Sequence, residues 1–203
     1  MSKVVVLTNL TLDGVMQGPA GPDEDRRGGF EHGGWAAPYA AMEATGNTFA
    51  SAGGLLFGRR TYENFYAFWP KQTNSPYTEF LNTIPKYVAS TTLQEPLPWS
   101  NSTLLKDDAA QAVSGLKEQP GKDFLLMGSG ELIQSLMRAN LVDEYVLLIH
   151  PLVLGSGRRL FPDGGAAAAL QLVATSTTTN GVVIATYQPA SPEARSTTEV
   201  ATH

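Results

Sequence analysis

Short apolar runs recur along this chain with helix-patterned stretches between them, and that alternation restricts the fold more than any other feature. KVVVL (3–7), LLFG (55–58), KYVAST (86–91), DFLLMG (123–128) and EYVLLIHPLVLG (144–155) are rich in Val, Leu and Phe. Such runs suit strands buried on both faces of a sheet, and parallel neighbours need a crossover between them, usually a helix. Helical composition fills the intervals: Pro38 through Ala50, TYENFYAF (61–68), the Pro-capped SPYTEFLNTIP (75–85), DAAQAVSGLKEQ (108–119) and ELIQSLMRAN (131–140). In the last of these, Leu132, Ile133, Leu136 and Met137 fall on one face at helical spacing. TLLK (103–106) reads as a weaker strand.

The C-terminal part changes character. LQLVATSTTT (170–179) and VVIATYQ (182–188) flank Asn180-Gly181, the strongest short hairpin signal. The expected fold is therefore α/β: a mixed, mostly parallel sheet of about eight strands, flanked by helices and ending in an antiparallel pair. With 203 residues and 42% hydrophobic composition, one domain over 1–189 accommodates it. The polar segment PASPEARSTTEVATH reads as a flexible tail, placed at 190–203. A net charge of −5 argues against a nucleic-acid or anionic-membrane partner, since both call for clustered Lys and Arg. The absence of cysteine removes thiolate metal sites and a catalytic thiol, and with three histidines no metal site is expected. MSKVVVLTNL lacks the apolar block of a signal peptide, so a soluble, cytoplasmic protein is expected.

Two strand-to-helix junctions carry the chemistry. In parallel sheets ligands sit at the carboxyl ends of strands, where the next helix offers unpaired N–H groups and its positive dipole end to an anion. Gly58-Arg59-Arg60-Thr61 stands at one such place, and Met127-Gly128-Ser129-Gly130-Glu131 at another. A solvated turn is the alternative for the first, but two junctions together suggest a diphosphate. The Rossmann fingerprint is not met, because Ile133 stands where its third glycine belongs. Arginines without a ribose-binding carboxylate favour a 2′-phosphate, with Ser90 and Thr91 as further hydroxyl donors or as a plain strand end.

Taken together, TLDGVMQ, LLFGRRTYENF, KYVAST, FLLMGSGELIQSLM and LVDEYVLLIHPLVLGSGRRLF resemble the dihydrofolate-reductase-like family that includes the reductase domain of bacterial riboflavin biosynthesis. The resemblance spans roughly residues 3 to 188, and the zinc deaminase that accompanies this reductase in bifunctional enzymes cannot be present without cysteine. It implies NADPH, with Gly58, Arg59, Arg60 and Thr61 toward the phosphates, Ser90 and Thr91 toward the adenosine end, and Met127 through Glu131 at the pyrophosphate. It also implies a homodimer and a nicotinamide near Thr8 to Gly18.

The substrate side is less determined. Asp13, in the Leu12-Asp13-Gly14 turn, and Glu43, the acid in the helix before LLFG, are the candidate catalytic carboxylates, each with a structural alternative. Residues 18–39 read as a glycine-hinged cover, with Trp35 facing a flat heterocycle; Tyr62 and Arg158 complete the substrate set. His150 sits in an apolar strand, where a satisfied core histidine is the ordinary outcome. The expected activity is hydride transfer from NADPH to a small pterin-, flavin-precursor- or ribosylaminopyrimidine-like compound. A non-catalytic member that binds a nucleotide or flavin-like ligand is the alternative, and a nucleotide or phosphosugar transferase a third.

Overall fold

A computed structural model describes residues 1–39, 41, 45–73, 75–106 and 108–190. Its elements are β1 (Val4–Thr11), α1 (Gly46–Ser51), β2 (Ala52–Gly58), α2 (Arg59–Phe68), α3 (Pro76–Thr83), β3 (Lys86–Ala89), β4 (Ser102–Leu105), α4 (Ala109–Glu118), β5 (Asp123–Met127), α5 (Gly130–Arg138), β6 (Glu144–His150), β7 (Leu170–Thr177) and β8 (Val183–Pro189). They form one eight-stranded sheet of order β4-β3-β2-β5-β1-β6-β8-β7. The first six strands are parallel, and β8 runs antiparallel to both β6 and β7.

The apolar runs lie where their composition demands. Leu55, Leu56 and Phe57 are fully buried in β2, with Leu125 and Leu126 beside them in β5. Each such side chain contributes about 1.5–3 kcal/mol of burial free energy. One face carries Phe49, Tyr62 and Leu81 from α1, α2 and α3; the other carries Val113, Leu132, Ile133 and Leu136 from α4 and α5.

Several boundaries differ from the sequence reading. Of the helix expected from Pro38 through Ala50, the described residues show a 3-10 turn at Ala37–Tyr39 and an α-helix only over Gly46–Ser51. EYVLLIHPLVLG is a strand only to His150, because Pro151 has no N–H for the ladder and Leu152 N–H turns back to His150 C=O at 2.8 Å. KYVAST leaves the sheet after Ala89, where the Ser90 hydroxyl accepts from the N–H groups of Thr92 and Leu93 and closes a turn. At the C-terminus β8 includes Pro189, and the buried Ala190 donates to Ala169 C=O at 2.8 Å, so position 190 belongs with the sheet. The rest of the expected tail lies outside the described residues. Among those, no helix is long and apolar enough to cross a membrane.

Candidate functional site

Strands β2 and β5 are parallel neighbours, yet α2 leaves β2 over one face of the sheet and α5 leaves β5 over the other. Connections that diverge this way open a crevice beyond the carboxyl ends of the strands. A cleft of about 1500 Å³ lies there, walled by the ends of β1, β2, β3 and β5, the first turns of α2 and α5, and the segment from Met16 to Arg27.

One hydroxyl joins the two junctions. Gly58 N–H donates to Ser129 Oγ at 2.8 Å, and the Ser129 hydroxyl donates to Thr61 Oγ1 at 2.8 Å. Ser129 holds a left-handed backbone, φ 59°, directly after Gly128 at φ 58°. A side chain at Gly130 would put its Cβ 2.8 Å from Met16 Sδ, so the Met16 side chain packs closely over the start of α5 and would have to shift to admit one. Neither α2 nor α5 has a side-chain cap on its first N–H groups. Gly58, Thr61, Met127, Gly128, Ser129, Gly130 and Glu131, expected from sequence to lie near one ligand, all line the cleft, and the two uncapped helix starts suit a pair of linked phosphates.

The two adjacent arginines have different settings. Arg59 Nε donates to Glu63 Oε1 at 2.8 Å, and its Nη1 to Thr92 Oγ1 at 2.8 Å, at the end of β3 beside Ser90 and Thr91. Arg60 is exposed on the cleft wall and has no hydrogen bond or ion pair among the described residues. Arg158 reaches the cleft from the opposite side, 3.3 Å from Glu131 Oε1, which also faces Arg27 at 3.6 Å. Glu24, on the same wall, accepts from Ala20 N–H at 2.7 Å, and burial raises its carboxyl above the usual range.

The substrate-side expectations fare differently. Asp13 is a clamp: it accepts from the Thr11 hydroxyl at 2.6 Å, from Leu154 N–H at 3.2 Å and from Gly155 N–H at 2.9 Å. The Thr11 hydroxyl, ahead of those amides, holds its carboxyl below the usual range, so it is suited to fix a loop and ill suited to donate a proton. Trp35 is buried with Val15 and Phe30, and its indole N–H donates to Gln17 C=O at 2.7 Å. It staples the 18–39 segment down and leaves no face for a substrate. Tyr62 is also in the core, its hydroxyl accepting from Trp99 N–H at 3.0 Å. Glu43 lies outside the described residues.

Two residues on the cleft wall fall within the Thr8 to Gly18 stretch but were not singled out from the sequence. Gln17 is 4% exposed and donates to the carbonyls of Asp25 and Arg27 while accepting from Arg158 N–H. Asn9 lies at the carboxyl end of β1, with Oδ1 2.9 Å from His150 Nε2. A polar residue breaking an apolar strand was the available signal for Asn9, and the end of the TLDGVMQ motif that for Gln17.

Comparison with known proteins adds the following. Residues 2–184 match the family described as the RibD C-terminal domain. The uncharacterised protein YyaP of Bacillus subtilis is 34% identical over 137 residues, 66% of this chain and 72% of that protein. A putative riboflavin biosynthesis protein from Shewanella sp. PV-4 superimposes with a TM-score of 0.67 at 21% identity, covering 93% of this chain and 99% of the other. Dihydrofolate reductase from Enterococcus faecalis, in complex with NADP(H), gives a TM-score of 0.60 at 13% identity, covering 93% and 97%. Those two likenesses establish a common fold.

Proposed function

The chain belongs to the RibD C-terminal domain family, and from that premise we propose that it is an NADPH-dependent reductase of a small heterocycle. Candidate substrates are pterin-, flavin-precursor- or ribosylaminopyrimidine-like compounds. The observation that carries this reading is the pair of uncapped helix N-termini bound together by Ser129, with Arg59 and Arg60 beside them. The residues fit a dinucleotide phosphate: Gly128 to Glu131 and Gly58 to Thr61 take the pyrophosphate on backbone N–H groups, with Arg60 adding charge. Arg59, next to Thr92, Ser90 and Thr91, takes the 2′-phosphate. The cofactor, when bound, supplies a hydride. The chain's own part is to hold the two rings face to face and exclude water, with the accompanying proton drawn from Glu24 or solvent. A cytoplasmic setting goes with this use of NADPH.

The test is a tryptophan-fluorescence titration with NADPH and with NADH. Arg59→Ala should remove the preference for NADPH, and Arg60→Ala should weaken both nucleotides, each by tenfold or more. That corresponds to the loss of a charge-assisted contact worth roughly 1.5–3 kcal/mol. Failure of either nucleotide to bind would remove the reading. The involvement of Asp13 in structural bonds supports a second one, a member of the fold that binds without turnover. Tight NADPH binding without oxidation by pterins, flavins or ribosylaminopyrimidines would favour it.

We also propose a homodimer, supported by β7: this edge strand is exposed on both faces and presents Leu172 and Val173 at 50% and 53% exposure.

A further inference from the structure

The strand order sets a direction along the cleft. The end of β3 carries Arg59, Ser90 and Thr92, β2 and β5 carry the joined phosphate cradle, and β1 comes next. With the adenosine end at β3, the reactive ring reaches β1, three strand spacings or roughly 14 Å away. Asn9 stands there.

His150 governs how Asn9 is presented. The ring is 1% exposed and held between the edges or faces of Trp35 and Tyr39, with centroids at 5.2 and 5.1 Å and near-perpendicular planes. Its Nε2 is 2.9 Å from Asn9 Oδ1, while its Nδ1 is buried with no partner among the described residues. A neutral imidazole carries one N–H. Placed on Nδ1, that hydrogen would be a buried unsatisfied donor; placed on Nε2, it donates to Asn9 Oδ1 and leaves only a lone pair unpaired. Burial also pulls the ring's pKa down to about 4, which keeps it neutral near pH 7. With its oxygen so engaged, Asn9 lines the cleft with an Nδ2–H₂ group that has no partner among the described residues.

We infer that Asn9 is a specificity-determining hydrogen-bond donor to a carbonyl oxygen of the ring at the β1 end of the cleft, and that His150 is the positioning residue that fixes its amide. The inference rests on the cofactor reading above. Two groups present such a carbonyl: the nicotinamide carboxamide, and an oxo-substituted heterocyclic substrate.

The experiment measures binding of 2′,5′-ADP, NADP⁺, thionicotinamide-NADP⁺ and, in the presence of NADP⁺, lumazine. The proteins are the unaltered chain, Asn9→Ala, Asn9→Asp, His150→Phe and the Asn9→Ala/His150→Phe double variant. Asn9→Asp keeps the shape and the bond from His150 but removes the donor, so it remains informative if His150→Phe fails to fold. If the carboxamide is the acceptor, the unaltered protein prefers NADP⁺ to its thio analogue about tenfold. The variants erase that preference, bind 2′,5′-ADP within twofold of the unaltered protein, and are not additive in the double variant. If the substrate is the acceptor, lumazine binding falls by a similar factor and NADP⁺ binding is unchanged. If no variant alters any probe that the unaltered protein binds, the inference is overturned and the cofactor reading stands. If 2′,5′-ADP and NADP⁺ do not bind at all, both fall.

Discussion

His150 and Lys86 are buried basic residues on different strands, and each keeps a different balance. Lys86 is fully buried, but its ammonium donates to the carbonyls of Ile84 at 2.8 Å and Ser100 at 3.0 Å and lies 4.6 Å from the centroid of Trp99. Burial lowers its pKa to about 8, and those partners suit a charge at neutral pH. Among the described residues no carbonyl or carboxylate holds a charge on His150, and burial takes it from its ordinary 6.5 to about 4. Because the folded value is the lower one, protonation favours the unfolded chain. The stabilisation is complete above pH 6.5 and is lost as pH falls from 6.5 to 4, by roughly 3 kcal/mol in all. Urea midpoints measured from pH 8 to pH 4 should show a decline over that window which is shallower in His150→Phe; equal slopes would assign the decline to other groups. Neither environment was legible in the sequence. His150 reads there as a satisfied core histidine, whereas one of its nitrogens is unpaired among the described residues, and Lys86 takes one carbonyl from nearby Ile84 and another from Ser100, which the fold brings beside it.

At the scale of elements, legibility followed the range of the interaction. Strand cores, the α5 apolar face and the Asn180-Gly181 hairpin depend on neighbours in sequence, and all are present. The strand-to-helix junctions were readable because a strand, a glycine and a helix start adjoin one another. Within the 18–39 segment Trp35 was misread because its partners are distant: it looked free for a ligand, but Gln17 and His150 occupy it. Its removal should be felt locally. Trp35→Ala opens a cavity in the small cluster with Val15 and Phe30, at a cost of about 3 kcal/mol, and should speed limited proteolysis within 18–39 before the sheet unfolds. An unchanged cleavage pattern would show that the segment is held by other contacts.

For the whole molecule, the number of strands and their mixed direction could be anticipated, but the insertion of β5 between β1 and β2 could not. It depends on pairing between residues seventy or more positions apart, Leu55 with Leu125 among them. That insertion sets the two helix starts on opposite faces and opens the cleft between them. At the far edge, β7 exposes Leu172 and Val173. Sedimentation at micromolar concentration should give a dimer, and Leu172→Lys with Val173→Lys a monomer; a monomeric unaltered protein would refute the proposed pairing.

The 16–27 segment has a buried base and a weakly held outer part. Gln17 secures the base from within, whereas farther out Asn64 meets Glu24 C=O through an exposed hydrogen bond and Arg27 meets Glu131, itself 82% exposed. Exposed pairs of this kind are each worth less than about 1 kcal/mol and are screened by salt. Added salt therefore loosens the rim while the scaffold beneath keeps its shape.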